Sequence, residues 1–455
     1  MIDPILPDDP GSTSLAPEPT PLSRGQQLRH RLRQVNELAR TRTSRQSLVT
    51  FIGQMGSTVL SVLSTIIISR TLGPAGFGVL AVYTSLVQML LGFTDFGLGT
   101  TAIKLISANL ERNRRYASVV MKVIFKIEIL SGLLVGVVGL ALAGPIADLL
   151  GGPQLLFVVR LAFFASIFSS AGAFIGPFFV AYQQFTKNAL FGVGASLAKL
   201  AGVLMLFKYA SVSLDNTIYL YVGIAVAMFF IGLYFSPRDY LIKATKTDEK
   251  QAFNEIFHFS KWILLSYFAT VLAGKLDVFL LLRFKGSAAV GLYAAAQQLT
   301  QIMPLMVGAF TTVLLPRVSR MTRRVEFLSY AKKVLFGSAV LCLALLPVLL
   351  FGDFFIHLIF GNKYSGSIVS FKILFVAYLA ALFANPLSLV LYAINQPKFM
   401  TFFNYASLAI SVVLNVALIP VFGIVGASIT FLVGNVLGLV VIGGYTLRQI
   451  NRQPD

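Results

Sequence analysis

The sequence predicts an all-α polytopic membrane protein with twelve transmembrane helices, arranged as two six-helix lobes that are related by a parallel repeat around a central cavity. Three observations lead to this prediction. The 455-residue chain is 56% hydrophobic and only 12% charged, about half the charge of an average soluble protein. Long uncharged stretches, each able to cross a bilayer as a helix, alternate with short charged ones. An internal repeat divides the chain into two similar halves.

The repeat centres on the segment Arg70–Gly78. A shift of 213 positions aligns residues 70–88 with residues 283–301, and seven of these nineteen pairs are identical. The identical pairs are Arg70/Arg283, Gly73/Gly286, Ala75/Ala288, Gly78/Gly291, Ala81/Ala294, Leu86/Leu299 and Gln88/Gln301. In both halves an apolar run ends at the arginine, a glycine-containing turn follows, and a second apolar run begins. This context indicates a duplicated module of helices.

The first 46 residues form a predicted cytoplasmic tail. Residues 1–23 contain six prolines and four acids, a composition typical of disorder, whereas residues 24–45 contain seven arginines. The Arg-rich part fits two states: an amphipathic helix on the anionic inner leaflet, or a solvated basic flank. The tail is therefore expected to be Pro-rich and disordered first, and Arg-rich before the first span.

Six spans are predicted in each half of the chain. In the N-terminal lobe (47–235) they lie near 47–69, 79–100, 120–143, 157–181, 189–207 and 216–235. A polar cytoplasmic linker (236–260) leads to the C-terminal lobe (261–447), and residues 448–455 form a second cytoplasmic tail. The spans of that lobe lie near 262–282, 290–315, 334–351, 367–392, 400–419 and 424–446, with Pro420 supplying the last break.

The basic residues predict the orientation of the chain. With the N-terminus inside, cytoplasmic segments hold 26 Lys and Arg residues and outer segments hold only five. The positive-inside rule therefore places both termini in the cytoplasm. Because each half has an even number of spans, the halves point the same way, which predicts a pseudo-twofold axis along the membrane normal and a cavity between the lobes.

Nine charged residues lie within or beside the predicted spans, and such residues usually face a cavity or a partner. Six are basic and form the candidate cationic cavity: Lys122, Lys126, Arg160, Lys199, Lys275 and Lys372. The excess of cations favours an anionic substrate such as a phosphate. Lys199 and Lys275 lie deepest. Lys122 and Lys126 either snorkel to the inner surface or continue a basic ladder from Arg115, and Arg160 could snorkel outward.

Three acids, Asp95, Glu128 and Asp277, are the candidates for ion coupling. For Asp95 three roles stay open: it carries a proton, binds a cation or caps a helix break at Gly97. Lys275 and Asp277 are two residues apart, so they are expected to point to different sides of a helix and not to pair with each other. Glu128 lies close to the lysines of the third span.

Several functional classes lack their sequence signals. The single cysteine, Cys342, and three scattered histidines provide no disulfide and no metal-ligand spacing. We find no nucleotide-binding loop and no hydrolase motif, so we expect no cofactor, no metal and no enzymatic activity. The net charge of +19 follows from the cytoplasmic loop bias, and we expect no nucleic-acid partner.

The segment Arg-Thr-Leu-Gly-Pro-Ala-Gly-Phe-Gly at 70–78 resembles a motif of the Wzx-type polysaccharide flippases, in the multidrug/oligosaccharidyl-lipid/polysaccharide exporter superfamily. The resemblance continues at Asp95-Phe-Gly-Leu98, Leu276-Asp277, Val290-Gly-Leu-Tyr-Ala-Ala295 and Phe422-Gly-Ile-Val-Gly-Ala427, and covers about 47–446. It implies a bacterial inner-membrane transporter that moves a polyprenyl-pyrophosphate-linked oligosaccharide from the inner to the outer leaflet by alternating access. The repeated Arg70, Gly73, Arg283 and Gly286 are then candidates for a gate.

The same resemblance implies partners. These are the lipid-linked oligosaccharide, membrane lipids, and a glycan polymerase or other export proteins for O-antigen, capsule or exopolysaccharide. Two alternatives remain. A cation-coupled multidrug exporter of the same superfamily predicts that acids dominate the cavity. An integral-membrane glycan polymerase or ligase needs a sizeable outer loop with catalytic groups, whereas the longest outer loop here is about 352–366.

Overall fold

A computed structural model describes residues 42–95, 97–209, 212–301, 303–304, 308, 314, 318, 321–394 and 396–453. The chain divides into two compact units, Met1–Val49 and Thr50–Asp455. The predicted disordered and Arg-rich tail lies outside the described residues, apart from 42–46, which are helical. The second unit holds both predicted lobes. All of the regular secondary structure in the described residues is helical, which confirms the predicted fold class.

The first half of the chain contains eight α-helices among its described residues. They are α1 (Arg42–Asp95), α2 (Leu98–Asn109), α3 (Arg114–Ala141), α4 (Ala143–Leu150), α5 (Leu156–Ala173), α6 (Ile175–Ala181), α7 (Phe185–Tyr209) and α8 (Leu214–Phe235). Short 3-10 turns occur at Pro153–Leu155 and Arg238–Leu241.

The described part of the second half contains seven α-helices. They are α9 (Lys246–Ala273), α10 (Leu276–Thr300), α11 (Arg324–Leu350), α12 (Gly352–Ile359), α13 (Ser367–Ala393), α14 (Pro397–Phe422) and α15 (Ile424–Ile450). A 3-10 turn spans Asn362–Tyr364. The predicted linker therefore contains the beginning of α9, which runs on without interruption into the membrane-spanning region.

Nine helical stretches among the described residues are long and apolar enough to cross a membrane. The first of them, Leu48–Asp95, has 48 residues, about twice the length that a bilayer needs, so it accommodates two spans. Its two parts meet at Gly73, where φ is +65°. The total of twelve stays a prediction, because the stretch between Gln301 and Met321 is described only in part.

The repeated glycines adopt the same backbone conformation in both halves. Gly73 has φ +65° and ψ −179°, and Gly286 has φ +80° and ψ 177°. A left-handed φ with an extended ψ is accessible almost only to glycine. Each glycine produces the kink that separates two consecutive spans, which is the physical reason for the identity at this pair of positions.

The helices that follow the two kinks cross with their backbones in contact. A Cβ atom at Gly78 would lie 1.8 Å from the carbonyl oxygen of Ser287, and one at Gly291 would lie 1.9 Å from the carbonyl oxygen of Pro74. The repeat superimposes Pro74 on Ser287 and Gly78 on Gly291, so the two close contacts are symmetry equivalents. The crossing therefore lies on the pseudo-twofold axis. We call the end of the helices that carries Gly73 and Gly286 the glycine-turn end.

The backbone beside one proline in the second half receives a hydrogen bond from a side chain. Pro386 lies inside α13 and cannot donate a hydrogen bond to the carbonyl of Leu382, four residues earlier. The buried Ser338 hydroxyl of α11 donates to that carbonyl instead, at 2.9 Å. A side chain from a neighbouring helix thus satisfies the backbone group that proline leaves without a partner.

We expect Ser338→Ala to lower the free energy of unfolding in detergent by about 1–3 kcal/mol, since it leaves a buried carbonyl unsatisfied. The matched control is Ser166→Ala, because the equally buried Ser166 donates only to Phe163 within its own helix. Equal destabilisation by the two substitutions in denaturant unfolding would contradict this role of Ser338.

Candidate substrate-binding cavities

The N-terminal lobe contains an aromatic cavity with a lysine at its edge. A cavity of about 390 Å³ is lined by α1, α5, α7 and α8, and an adjoining one of about 250 Å³ holds Lys199. The two share Tyr221 and Ile224. The Lys199 Nζ lies 4.6 Å from the centroid of the Tyr221 ring, a cation–π arrangement. No described carboxylate lies within ion-pair distance of Lys199, so its charge is available to a ligand.

Helix α7, which carries Lys199, packs closely against α1. Ser196 on α7 and Ser61 on α1 lie with their hydroxyl oxygens 3.2 Å apart beside the lysine. Small residues along α7 allow α1 to pack against it, as glycine and serine do in membrane helices generally. The result is a small polar recess at the edge of the larger aromatic cavity.

The C-terminal lobe contains a more polar cavity of about 460 Å³. Its polar lining comes from α9, α10, α13, α14 and α15: Thr270, Lys275, Asp277, Gln297, Gln301, Tyr378, Asn404, Ser407, Ser411, Thr430 and Asn435. Gln88 lines the N-terminal cavity and its repeat equivalent Gln301 lines this one. The internal repeat thus places the same amide in both cavities, which the sequence alignment alone could not establish.

Lys275 occupies a break in the predicted seventh span. α9 ends at Ala273 and α10 begins at Leu276, with Lys275 at the N-cap position of α10. No ion pair joins Lys275 to Asp277, as expected, but both line the same cavity, because the break changes the directions that a continuous helix would impose. The break was not predicted, since the surrounding sequence is apolar and contains no proline.

Asp277 is held by its own lobe. Its carboxylate accepts hydrogen bonds from the Tyr293 hydroxyl at 2.6 Å, from the Gln297 amide at 3.4 Å, and from the Val278 backbone N–H at 2.8 Å. The side chain is buried. These donors orient the carboxylate at the first turn of α10, where the helix dipole favours a negative charge.

Tyr293 and Tyr378 contribute to this site and were not predicted from the sequence, because aromatic residues in spans usually pack against lipid or other helices.

The other two acids lie together in the N-terminal lobe. Asp95 caps the helix break at Gly97, since its Oδ1 accepts a hydrogen bond from the Gly99 N–H at 3.0 Å. Of the three roles that stayed open for Asp95, this hydrogen bond supports the capping of the helix break. Glu128 is 1% exposed, and Asp95 and Ser170 adjoin it. Neither carboxylate oxygen of Glu128 accepts a hydrogen bond from any described residue, which leaves two acceptor sites for a proton or a small cation.

The remaining candidate cations lie elsewhere. Lys122 and Lys126 both bind Glu249 of α9, at 3.0 and 2.6 Å, and Lys122 also donates to the carbonyl of Ile242. Lys372 pairs with Asp353 of α12 at 2.8 Å. Arg160 is exposed. None of these four residues lines any of the three cavities described above. Of the six predicted cations, Lys199 lines the 250 Å³ cavity, Lys275 lines the 460 Å³ cavity, and the others line none of the three.

Glu249 joins the N-terminal beginning of α9 to α3. It lies outside the predicted spans, and hydrogen bonds from Lys126 and Lys122 lower the pKa of its carboxyl. A lowered pKa in the folded state stabilises the fold at neutral pH, and this stabilisation is lost as the pH falls through the folded-state value, below 4.5.

We expect the first turns of α9 to become less protected from hydrogen exchange as the pH falls towards 4, after correction for intrinsic exchange. In Glu249→Gln they should be less protected at pH 7 already and should respond little to pH, because the variant cannot form the ion pairs. The same pH response in both proteins would show that the Glu249 ion pairs do not hold this segment.

Of the four candidate gate residues, Arg70 makes side-chain contacts at the glycine-turn end. Arg70 donates from Nε to the Ile359 carbonyl at 2.8 Å, and its guanidinium also donates to the Leu358 carbonyl. These carbonyls lie at the C-terminal end of α12, where unsatisfied carbonyls attract cations. Nearby, the Tyr364 hydroxyl donates to the Ser69 carbonyl at 2.8 Å. The repeat-related Arg283 is exposed, as is Arg70.

Two pseudo-symmetric groups of membrane-spanning helices, each with its own cavity, define a multi-pass helical membrane protein of the transporter class. The family model for polysaccharide biosynthesis proteins matches residues 44–322, more than half of the chain. The chain therefore belongs to the polysaccharide biosynthesis protein family.

Relatives and a solved structure agree with this assignment. A Shigella flexneri protein named "Putative O-antigen transporter" is 22% identical over 399 residues, 85% of this chain and 93% of that protein. A Haloferax volcanii protein named "Probable low-salt glycan biosynthesis flippase Agl15" is 24% identical over 395 residues, covering 85% and 79%. An uncharacterised membrane protein of Methanocaldococcus jannaschii is 25% identical over 222 residues, and the match spans 44% of its length.

The solved structure of the lipid II flippase MurJ, in an inward closed conformation, has the same fold. It superimposes with a TM-score of 0.69 at 13% identity, covering 89% of this chain and 90% of that one. At this identity the similarity establishes the fold alone. It confirms the two-lobe architecture that the internal repeat predicted.

Proposed function

We propose that this protein carries a polyprenyl-pyrophosphate-linked oligosaccharide from the inner to the outer leaflet of a bacterial inner membrane, for O-antigen, capsule or exopolysaccharide biosynthesis. The observation that carries the proposal is the placement of one lysine in the cavity of each lobe, Lys199 and Lys275. An ammonium group binds anionic oxygens such as those of a pyrophosphate. Membership of the polysaccharide biosynthesis family supports the substrate class.

The two cavities have complementary roles in this proposal. The amides and hydroxyls of the C-terminal cavity, among them Gln301, Asn404 and Asn435, provide hydrogen-bond partners for sugar hydroxyls. The aromatic N-terminal cavity, with Tyr83, Phe168 and Tyr221, provides faces on which sugar rings can pack. Binding would therefore engage both lobes at once, which is what a motion that alternates access requires.

The glycine-turn end corresponds to the outer side if the N-terminus is cytoplasmic, as the distribution of basic residues predicts. The close contact of Gly78 with Ser287 and the Arg70 bonds to α12 then hold the outer side closed. Separation of these contacts would open the outer side. Gly73 and Gly286 would act as kinks that let each pair of spans move as a unit.

Ion coupling supplies the energy in this proposal. Glu128 and Asp95 are the site of choice, because Glu128 is buried, its carboxylate oxygens form no hydrogen bond with a described residue, and Asp95 and Ser170 adjoin it. Asp277 already accepts three hydrogen bonds, which favours an orienting role for it. The partners we propose are the lipid-linked oligosaccharide, membrane lipids, and a glycan polymerase or other export protein.

Complementation in cells tests this proposal. The gene is expressed in a bacterium that lacks its own O-antigen flippase, and surface glycan is measured with a specific antibody at matched membrane levels. We expect surface glycan to return with the wild-type chain and not with Lys199→Ala. Resistance to cationic dyes without any surface glycan would instead identify a multidrug exporter.

A further inference from the structure

A groove with a mainly apolar lining adjoins the C-terminal cavity. It lies between α14 and α15, has a volume of about 170 Å³, and is lined mainly by Phe402, Phe403, Ala406, Ile410, Leu437 and Val441. This volume is close to the ~150 Å³ of an apolar protein cavity that binds benzene. The groove therefore has room for a short branched piece of hydrocarbon and offers it almost no polar group.

The groove and the C-terminal cavity share a wall. Phe403, Ser407, Ile410 and Gly434 line both. The three residues of α14 are spaced at i, i+4 and i+7, so they form one stripe of the helix, with the polar cavity on one side and the apolar groove on the other. A molecule with a polar head and an apolar tail can therefore occupy both without a gap.

The groove is open to the surroundings of the protein along its length. Phe402 is 75% exposed and Ile410 is 40% exposed, so the groove faces the lipid phase. Gly434 keeps it wide, because no atom lies within 4 Å of the position where its Cβ would stand. Towards the cytoplasmic end of α15, the rings of Phe399 and Tyr445 stack with centroids 3.8 Å apart and close the gap between the two helices.

We infer that this groove is the slot for the prenyl tail of the transported lipid, beginning where the tail leaves the head-group cavity that contains Lys275. The inference rests on the proposed function. The occupant is inferred from the fact that the groove and the C-terminal cavity share one wall. A tail that is covalently attached to a head group in that cavity can pass over the shared stripe of α14 into the groove, which is apolar and faces lipid. A bilayer phospholipid has no head group that requires this cavity, so it is the alternative occupant that the test must exclude.

Val441→Trp fills the groove, and Val440→Trp is the matched control. Both valines are on α15, with exposures of 40% for Val441 and 66% for Val440, and neither lines the C-terminal cavity; only Val441 lines the groove. The assay measures movement of a long-chain prenyl-pyrophosphate oligosaccharide between leaflets of liposomes, and binding of the same pyrophosphoryl oligosaccharide without its tail. We expect Val441→Trp to slow movement about tenfold or more, since a tenfold loss needs only about two methylene groups' worth of burial. Val440→Trp should move the lipid at the wild-type rate.

Tail-free binding separates the slot from the head-group cavity. Unchanged binding of the tail-free ligand by Val441→Trp supports the slot, because Val441 lines the groove and not the cavity. Movement of the long-chain lipid at the wild-type rate overturns it, and so does an equal loss of tail-free binding, which would show that the tryptophan acts through the head-group cavity. If wild-type protein moves no prenyl lipid, the proposed function fails as well; if wild type moves it and Val441→Trp does too, the slot alone fails.

Photolabelling identifies the occupant. A prenyl-pyrophosphate lipid with a diazirine in its tail should label the peptide 397–445, and unlabelled prenyl lipid should compete, whereas excess phospholipid should not. Labelling of the same peptide by a diazirine phospholipid that prenyl lipid cannot displace would assign the groove to bilayer lipid and overturn the proposal.

Discussion

Lys199→Ala and Lys275→Ala are each expected to reduce glycan-lipid transport by about 30-fold to more than a thousandfold, because truncating one partner of a buried charge pair costs about 2–5 kcal/mol. In each lobe one lysine faces the cavity without a described carboxylate at ion-pair distance. The loss should appear at equal membrane levels, since neither lysine stabilises the fold through an ion pair within the described residues.

The control for this prediction is Lys332→Ala, an exposed lysine on α11 outside both cavities. Its transport should match that of the wild type. Transport is measured as initial rates in liposomes or as surface glycan in cells. Normal transport by both Lys199→Ala and Lys275→Ala would show that these ammonium groups do not bind the head group.

Gly78→Val is expected to prevent closure of the glycine-turn end. The side chain would begin 1.8 Å from the carbonyl oxygen of Ser287, a backbone atom that cannot turn aside, so the two crossing helices must separate. A transporter that cannot close one side cannot complete its cycle, and we expect transport to fall at least tenfold, the effect of about 1.4 kcal/mol. Distances between spin labels on α1 and α10 at this end should increase.

Gly223→Val is the matched control for the crossing. Gly223 is an exposed glycine of α8, and no atom lies within 4 Å of its Cβ position. It should keep wild-type transport and wild-type distances at the glycine-turn end. Unchanged distances and transport in Gly78→Val would mean that the contact seen between the two repeats is not required for the cycle.

The fold was predictable because membrane helices can be recognised from hydropathy. The internal repeat was recognisable because some equivalent positions of the two halves can hold only glycine. Gly73 and Gly286 need a positive φ, and Gly78 and Gly291 need a backbone without a Cβ. The break at Lys275 was not predictable, because tertiary packing interrupts a sequence that local propensity would keep helical. The break at Phe174, between α5 and α6, has a local cause, because Pro177 lacks the N–H that would bond to the Ala173 carbonyl.

The candidate site was predictable only in its chemistry. The six basic residues looked similar in sequence, but their partners come from segments far away along the chain. Glu249 lies more than a hundred residues from Lys122 and Lys126, and only folding brings the three together. Position along a span singled out Lys199 and Lys275, and these are the two candidate cations that line the cavities described above. It gave no information about Tyr221 or Tyr293, which contact the charged groups of the two lobes.

The most direct measurement of the central claim is movement of a fluorescent polyprenyl-pyrophosphate oligosaccharide between leaflets of liposomes that contain the purified protein, with and without a proton or sodium gradient. We predict protein-dependent movement that a gradient accelerates and that Lys199→Ala abolishes. No movement of several such lipids, together with transport of cationic dyes in the same vesicles, would contradict the assignment of the two cavities to a lipid-linked glycan.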